Sequence, residues 1–100
     1  MLEKFVEWNR QNAPLFHELS IDIEIHENKL DNVVSAMWVI HTSKTHIGGI
    51  TVWQEGLFEI EIVCLATEKR ALYMSCQVND NYNMDINDML KVYKTIMMNN

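Results

Sequence analysis

Three features of the sequence predict an α+β fold, a five-stranded antiparallel sheet with an N-terminal and a C-terminal helix packed on one face. Apolar and polar residues alternate at period two through the middle of the chain, and short polar turns separate the alternating runs. A helical stripe stands at each end. Two terminal helices covering one face of an antiparallel meander is the simplest two-layer arrangement for the order α-β-β-β-β-β-α. One hundred residues, with one Pro and three Gly, suit a single domain over residues 1–100 with no repeat or linker.

Residues 2–12 place Leu2, Phe5, Val6 and Asn9 on a stripe flanked by Trp8, and Pro14 is expected to close this helix. From Ser20 the period becomes two. Leu19, Ile21, Ile23 and Ile25 form an inner face, and Asp22 and Glu24 lie on an acidic outer face. Residues 27–32 have turn composition. Val33 to His41 is apolar on both parities, as in a strand covered on both sides, so the pattern leaves open which face Trp38 takes. Residues 42–49 read as a loop. Ile50–Trp53 then pairs with Phe58–Ile62 across Gln54-Glu55-Gly56, with Gly56 in the left-handed position that ends a three-residue hairpin loop. In that register Val52 faces Phe58, Thr51 faces Glu59 and Ile50 faces Ile60, even positions inward. A turn at Glu68-Lys69-Arg70 returns the chain over 71–78, with Ala66 opposite Leu72 and Cys64 opposite Met74. A polar loop over 79–84 leads to a last helix, N-capped by Asp85, whose stripe is Ile86, Met89, Leu90, Tyr93 and Met97. Lys91 and Lys94 lie toward its C-terminal half, the sign the helix dipole favours.

Fourteen acids against eight Lys and Arg leave a net charge of −6. The basic face of a nucleic-acid binder is missing, and Lys69-Arg70 is the largest basic cluster. With no apolar run of signal-peptide or membrane-helix length, the expectation is a cytoplasmic protein with no membrane partner. Cys64 and Cys76 read as buried thiols acting as small hydrophobes, since a disulfide needs an oxidising compartment.

The four histidines lack the spacing of a zinc site, and His41 and His46 could converge only across one loop. Gly48-Gly49 precedes a strand, whereas a phosphate cradle precedes a helix. Ser and Thr have no nucleophile-elbow context. The reading is therefore not an enzyme, with no catalytic residue, metal or cofactor. The pairs Asp22/Glu24 and Glu59/Glu61 project from half-buried strands, which suits either a solvated face or a partner surface. Trp53 shares the outward side of Glu59 and Glu61, beside Glu55 at the hairpin tip. It is either cover for neighbouring side chains or an interface anchor, a position in which Trp is enriched. Flanking acids would steer a basic partner. The candidate partner-binding residues are Trp53, Glu55, Glu59, Glu61, Asp22, Glu24 and Trp38.

Four segments carry a family resemblance: Phe5-Val-Glu-Trp-Asn9, Ser20-Ile-Asp-Ile-Glu-Ile25, Ile50-Thr-Val-Trp-Gln-Glu-Gly56 with its Glu-Ile-Glu-Ile continuation, and Thr67-Glu-Lys-Arg70. Over nearly the whole chain the sequence resembles the TriTu immunity proteins, which are encoded beside antibacterial Rhs-type polymorphic toxins of type VI secretion. The resemblance implies a cytoplasmic inhibitor that binds a cognate toxin, an ADP-ribosyltransferase acting on elongation factor Tu, and blocks its NAD or target-binding cleft. The alternative from another class is a small acidic secretion chaperone that holds an effector before export.

Overall fold

Helix α1 runs from Leu2 to Glu18 with Pro14 inside it, in the computed structural model, which describes residues 2–78 and 85–99. The expected stop before Pro14 does not occur. An internal proline costs about 3 kcal/mol. Continuing the helix buries Phe16 and leads into Ile21, both 1% exposed, and each such side chain contributes about 1.5–3 kcal/mol. The gain exceeds the cost. Trp8 joins Phe5 and Phe16 in the buried stripe, and Val6 is left outside it, 48% exposed. The buried amides of Asn9 and Asn12 donate to the carbonyls of Phe5 and Trp8.

The helix ends in a Schellman motif built without glycine. Ser20 takes the left-handed conformation at φ 58. Its N–H donates to the carbonyl of His17, and that of Ile21 reaches back to Phe16. The accompanying apolar contact belongs to Phe16 and Ile21 themselves. Leu19 is consequently not a strand residue but a helix cap, 47% exposed.

Five strands follow: β1 (Asp22–Leu30), β2 (Val33–Thr42), β3 (His46–Trp53), β4 (Leu57–Cys64) and β5 (Arg70–Gln77). Each is antiparallel to the next, in the sheet order β1-β2-β3-β4-β5. The five-stranded sheet with terminal helices on one face is thus as the alternation predicts. Two connections are shorter than expected. Only Asp31 and Asn32, both at positive φ, turn the first hairpin, the signature of a two-residue type I′ turn. Residues 27–30 therefore belong to β1. The second hairpin needs only 43–45, because the hydroxyl of Ser43 accepts the N–H groups of Thr45 and His46 and replaces backbone partners.

Around Gly56 the observed pairs Val52–Phe58, Thr51–Glu59 and Ile50–Ile60 match the expected register, and Gly56 has φ +95. The last hairpin differs. Leu72 faces Ile62 rather than Ala66, and Met74 faces Ile60 rather than Cys64. β4 stops at Cys64, whose carbonyl accepts the N–H of Glu68 at φ 58, and the ladder is irregular between Ile62 and Val63. Residues 65–67 therefore join the turn. The displacement is even, so inward and outward faces are unchanged.

The polar loop expected over 79–84 lies outside the described residues. Asp85 caps α2 (Ile86–Met89), its carboxylate accepting the N–H of Asn87 at 2.9 Å. The single last helix of the sequence reading is two, divided at Leu90, with α3 spanning Lys91–Met98. The N–H of Leu90 still donates to Ile86, and Leu90 accepts from Lys94. The stripe Ile86, Met89, Leu90, Tyr93 and Met97 is accordingly all buried. Lys91 and Lys94 fall in the first half of α3, and its last turn carries no basic residue, so the expected dipole complement is absent.

Both helical layers meet at His41, which is 1% exposed on the helix side of β2. Phe16 stacks on its ring at 4.2 Å, Trp8 meets it edge-on at 6.4 Å, and its Nδ1 is hydrogen-bonded to the Tyr93 hydroxyl at 2.6 Å. Gly48, directly opposite His41 on β3, makes this possible. A Cβ there would stand 2.5 Å from the Tyr93 hydroxyl oxygen. Burial pushes the His41 pKa down to about 4 and raises that of Tyr93.

Cys64 and Cys76 are free and only half-buried, which corrects the reading of two buried thiols. Cys76 packs against the core opposite Phe58, whereas Cys64 stands at the far end of β4. Hydrogen bonds from the Thr67 hydroxyl and then from the Thr67 and Ala66 backbone lower the Cys64 pKa; burial raises that of Cys76. In the folded protein an alkylating reagent at neutral pH should label Cys64 before Cys76, because the thiolate is the reactive form. Peptide mapping of the modified protein reads the order, and equal rates would contradict the assigned environments.

Two further outcomes test the fold. Gly56→Val should destabilise by at least about 1 kcal/mol, because a β-branched residue is strained at positive φ and its Cβ would meet the Val78 carbonyl oxygen at 2.0 Å. An unchanged urea midpoint would contradict the hairpin. Because the His41 pKa is depressed on folding, protons bind more tightly to the unfolded chain below its ordinary value of 6.5. The His41 contribution is therefore full above that pH and is lost as pH falls toward 4, by about 3 kcal/mol in all. Urea midpoints across this range read the loss, and an NMR titration of the His41 ring should show it neutral until about pH 4.

Candidate functional site

The strand registers collect a second set of side chains on the sheet face opposite the described helices. One row across the sheet is His26, Trp38, Thr51, Glu59 and Ser75. The row beside it is Glu24, Ile40, Gly49, Glu61 and Tyr73. On the other side of the first row, Ala36 faces Trp53 and Leu57 faces Gln77. Trp38 and Trp53 are therefore diagonal neighbours on adjacent strands, within reach of one another's ring surfaces. Both are half-buried, and Ala36 between them is 7% exposed.

Polar groups hold parts of this face in place. His26 stacks on Trp38 with ring centroids 5.3 Å apart and planes at 17°, and its Nε2 is 3.7 Å from the Glu24 carboxylate. Arg70 lies over the Tyr73 ring at 4.5 Å and pairs with Glu61 at 3.1 Å. At this exposure each ion pair contributes about 0–1 kcal/mol, so these contacts orient side chains more than they stabilise the fold. Glu59 is exposed, and among the described residues no cation lies within ion-pair distance of it.

Five of the seven sequence-predicted site residues come together here: Trp38, Trp53, Glu24, Glu59 and Glu61. The register settles the face of Trp38, which periodicity could not. Asp22 lies at the margin, opposite Thr42 where β1 begins. Glu55 is off the face, in the turn at the sheet's end, where its carbonyl accepts the Gln77 amide at 2.7 Å. His26, Tyr73 and Arg70 were missed by the sequence reading. The parity that places Glu24 outward also places His26 outward, and Tyr73 shares the outward parity of Ser75.

The rest of the surface offers less chemistry. His41 is enclosed in the core and hydrogen-bonded to Tyr93, and His46 is hydrogen-bonded to the Thr45 hydroxyl at 2.8 Å. Among the described residues no three His, Cys, Asp or Glu side chains are placed to hold a metal ion. A groove of about 290 Å³ between α1 and α2 is lined by Lys4, Glu7, Trp8 and Ile86. Of its two carboxylates, Glu3 and Glu7, the second is already engaged by Arg10, then by Gln11, which hold its pKa below the usual value. Among the described residues no helix is long and apolar enough to cross a membrane. What the uncovered face can do is dock a surface that brings apolar area to the two indoles and positive charge to the acids.

Comparison with curated proteins finds no match. A family model described as immunity protein TriTu matches residues 3–93, a span that takes in all five strands and reaches Tyr93. The chain belongs to the TriTu immunity protein family.

Proposed function

We propose that this chain is a cytoplasmic, non-catalytic inhibitor of an antibacterial toxin of the ADP-ribosyltransferase class. It holds the toxin with the uncovered sheet face and so covers the toxin's NAD cleft or its route to its target. The observation that carries this reading is the pair of half-exposed indoles, Trp38 and Trp53, set among Glu24, Glu59 and Glu61 on the face both helices leave free. Tryptophans at the centre of an interface supply much of its affinity, and surrounding acids steer a basic partner into place. Membership of an immunity protein family supports a toxin as that partner. Co-expression with the adjacent toxin gene should rescue growth, and the two proteins should co-purify. Failure of both, with effector export depending on this gene, would replace the reading with a secretion chaperone.

The anchor and the steering charges should separate kinetically. Trp53→Ala is expected to raise the dissociation rate, costing at least about 2 kcal/mol of binding. Asp22→Asn combined with Glu24→Gln should lower the association rate and flatten its salt dependence. Folding should survive both changes: the exposed acids typically move stability by about 0.5 kcal/mol or less, and Trp53 lies outside the buried core cluster. Wild-type kinetics in both variants would move the interface to the helices or the 43–45 turn.

A further inference from the structure

Resting on the reading of the sheet face as the toxin-binding surface, we propose that the partner's anchor is an arginine side chain, laid over Glu59 and against the Trp53 indole. The molecule already holds one guanidinium in this way. Arg70 sits 4.5 Å over the Tyr73 ring while pairing with Glu61, the residue directly opposite Tyr73. Glu59, one step along the same face of β4, has aromatic neighbours and no such cation among the described residues.

The surroundings of Glu59 leave room for a guest. Its direct cross-strand neighbours are short, Thr51 on one side and Ser75 on the other. Trp53 stands diagonally across β3, and Trp38, held by the His26 stack, closes the row beyond Thr51. Glu59 therefore has two short hydroxyl side chains directly beside it and an indole on the diagonal.

Electrostatics then selects the guest. A partner that buries the two indoles also removes Glu59 from water, and an unpaired buried carboxylate opposes association strongly. The partner must supply a positive charge at that point. A guanidinium meets the geometry better than an ammonium: it is planar enough to stack on an indole, weakly hydrated, and able to donate to a carboxylate in a fork with further N–H groups for Thr51 and Ser75. Glu59 thus acts after contact, by holding the bound state, whereas Asp22 and Glu24 act before it.

The test is binding kinetics with the toxin domain encoded by the adjacent gene. Glu59→Gln should raise the dissociation rate about tenfold or more with little change in the association rate. N-acetyl-arginine amide should compete with the toxin better than N-acetyl-lysine amide at equal ionic strength, and this advantage should vanish in Glu59→Gln. A dissociation rate unchanged by Glu59→Gln, or equal competition by the two amides, overturns the arginine anchor and leaves the toxin reading standing. If the toxin does not bind the wild-type chain, that reading fails, and titration of N-acetyl-arginine amide against the tryptophan NMR signals decides the site. Saturable shifts of the Trp53 indole that are lost in Glu59→Gln support it, and their absence overturns it.

Discussion

The enclosure of His41 by three elements determines how the two layers of this protein fit together. The imidazole projects from the helix side of β2, is stacked by Phe16 of α1 and is hydrogen-bonded by Tyr93 of α3. Two helices far apart in sequence are thereby fixed over the same strands. The contact needs an unobstructed floor, which Gly48 supplies by leaving the space a Cβ would fill. It also needs a neutral ring, since a charged one in this apolar enclosure would lose its hydration without gaining a counter-ion.

Committing both helices to one face has a consequence on the other. Among the described residues no element covers the sheet's second face, yet it carries two of the chain's three tryptophans together with Tyr73 and Ile40. Isolated exposed hydrophobics are ordinary, whereas two indoles on adjacent strands with acids beside them have the composition of an interface. The internal contacts on this face, His26 on Trp38 and Arg70 on Tyr73, restrain rings that would otherwise lose rotamer freedom on binding. If this face is the proposed interface, part of the ordering that association requires is already present in the free chain.

Sequence periodicity read most of this correctly wherever structure follows from local chemistry. The hairpin at Gly56 was legible because only glycine sits comfortably at its φ, which fixes the register of β3 on β4 and the outward placement of Trp53, Glu59 and Glu61. The end of α1 was not legible. Its left-handed cap falls on Ser20 rather than glycine, and the proline that signals a stop is overridden by tertiary burial of Phe16. The register of β5 was misread because residues 65–67 look like strand but turn around the Cys64 carbonyl. The face of Trp38 was ambiguous because both faces of β2 carry apolar side chains. One side packs the core and the other places Trp38 and Ile40 on the outer face, and periodicity does not distinguish the two.

The separation of the two faces bears on how such an inhibitor could track a changing partner. Substitutions at the helix-side positions fall on Val39, Ile50, Ile60 and His41, all at 0–1% exposure, where truncation of a large side chain costs about 2–5 kcal/mol. A domain of this size typically has only about 5–15 kcal/mol to lose, so two such changes approach the limit of folding. Substitutions among Glu24, Glu59 and Ser75 touch no core group and typically move stability by about 0.5 kcal/mol or less. Because strand side chains alternate, β2, β3 and β4 each contribute both kinds of position without one constraining the other. The charge pattern of the proposed binding face is free to change to match a new partner, while the His41 cluster behind it keeps the sheet in the same shape.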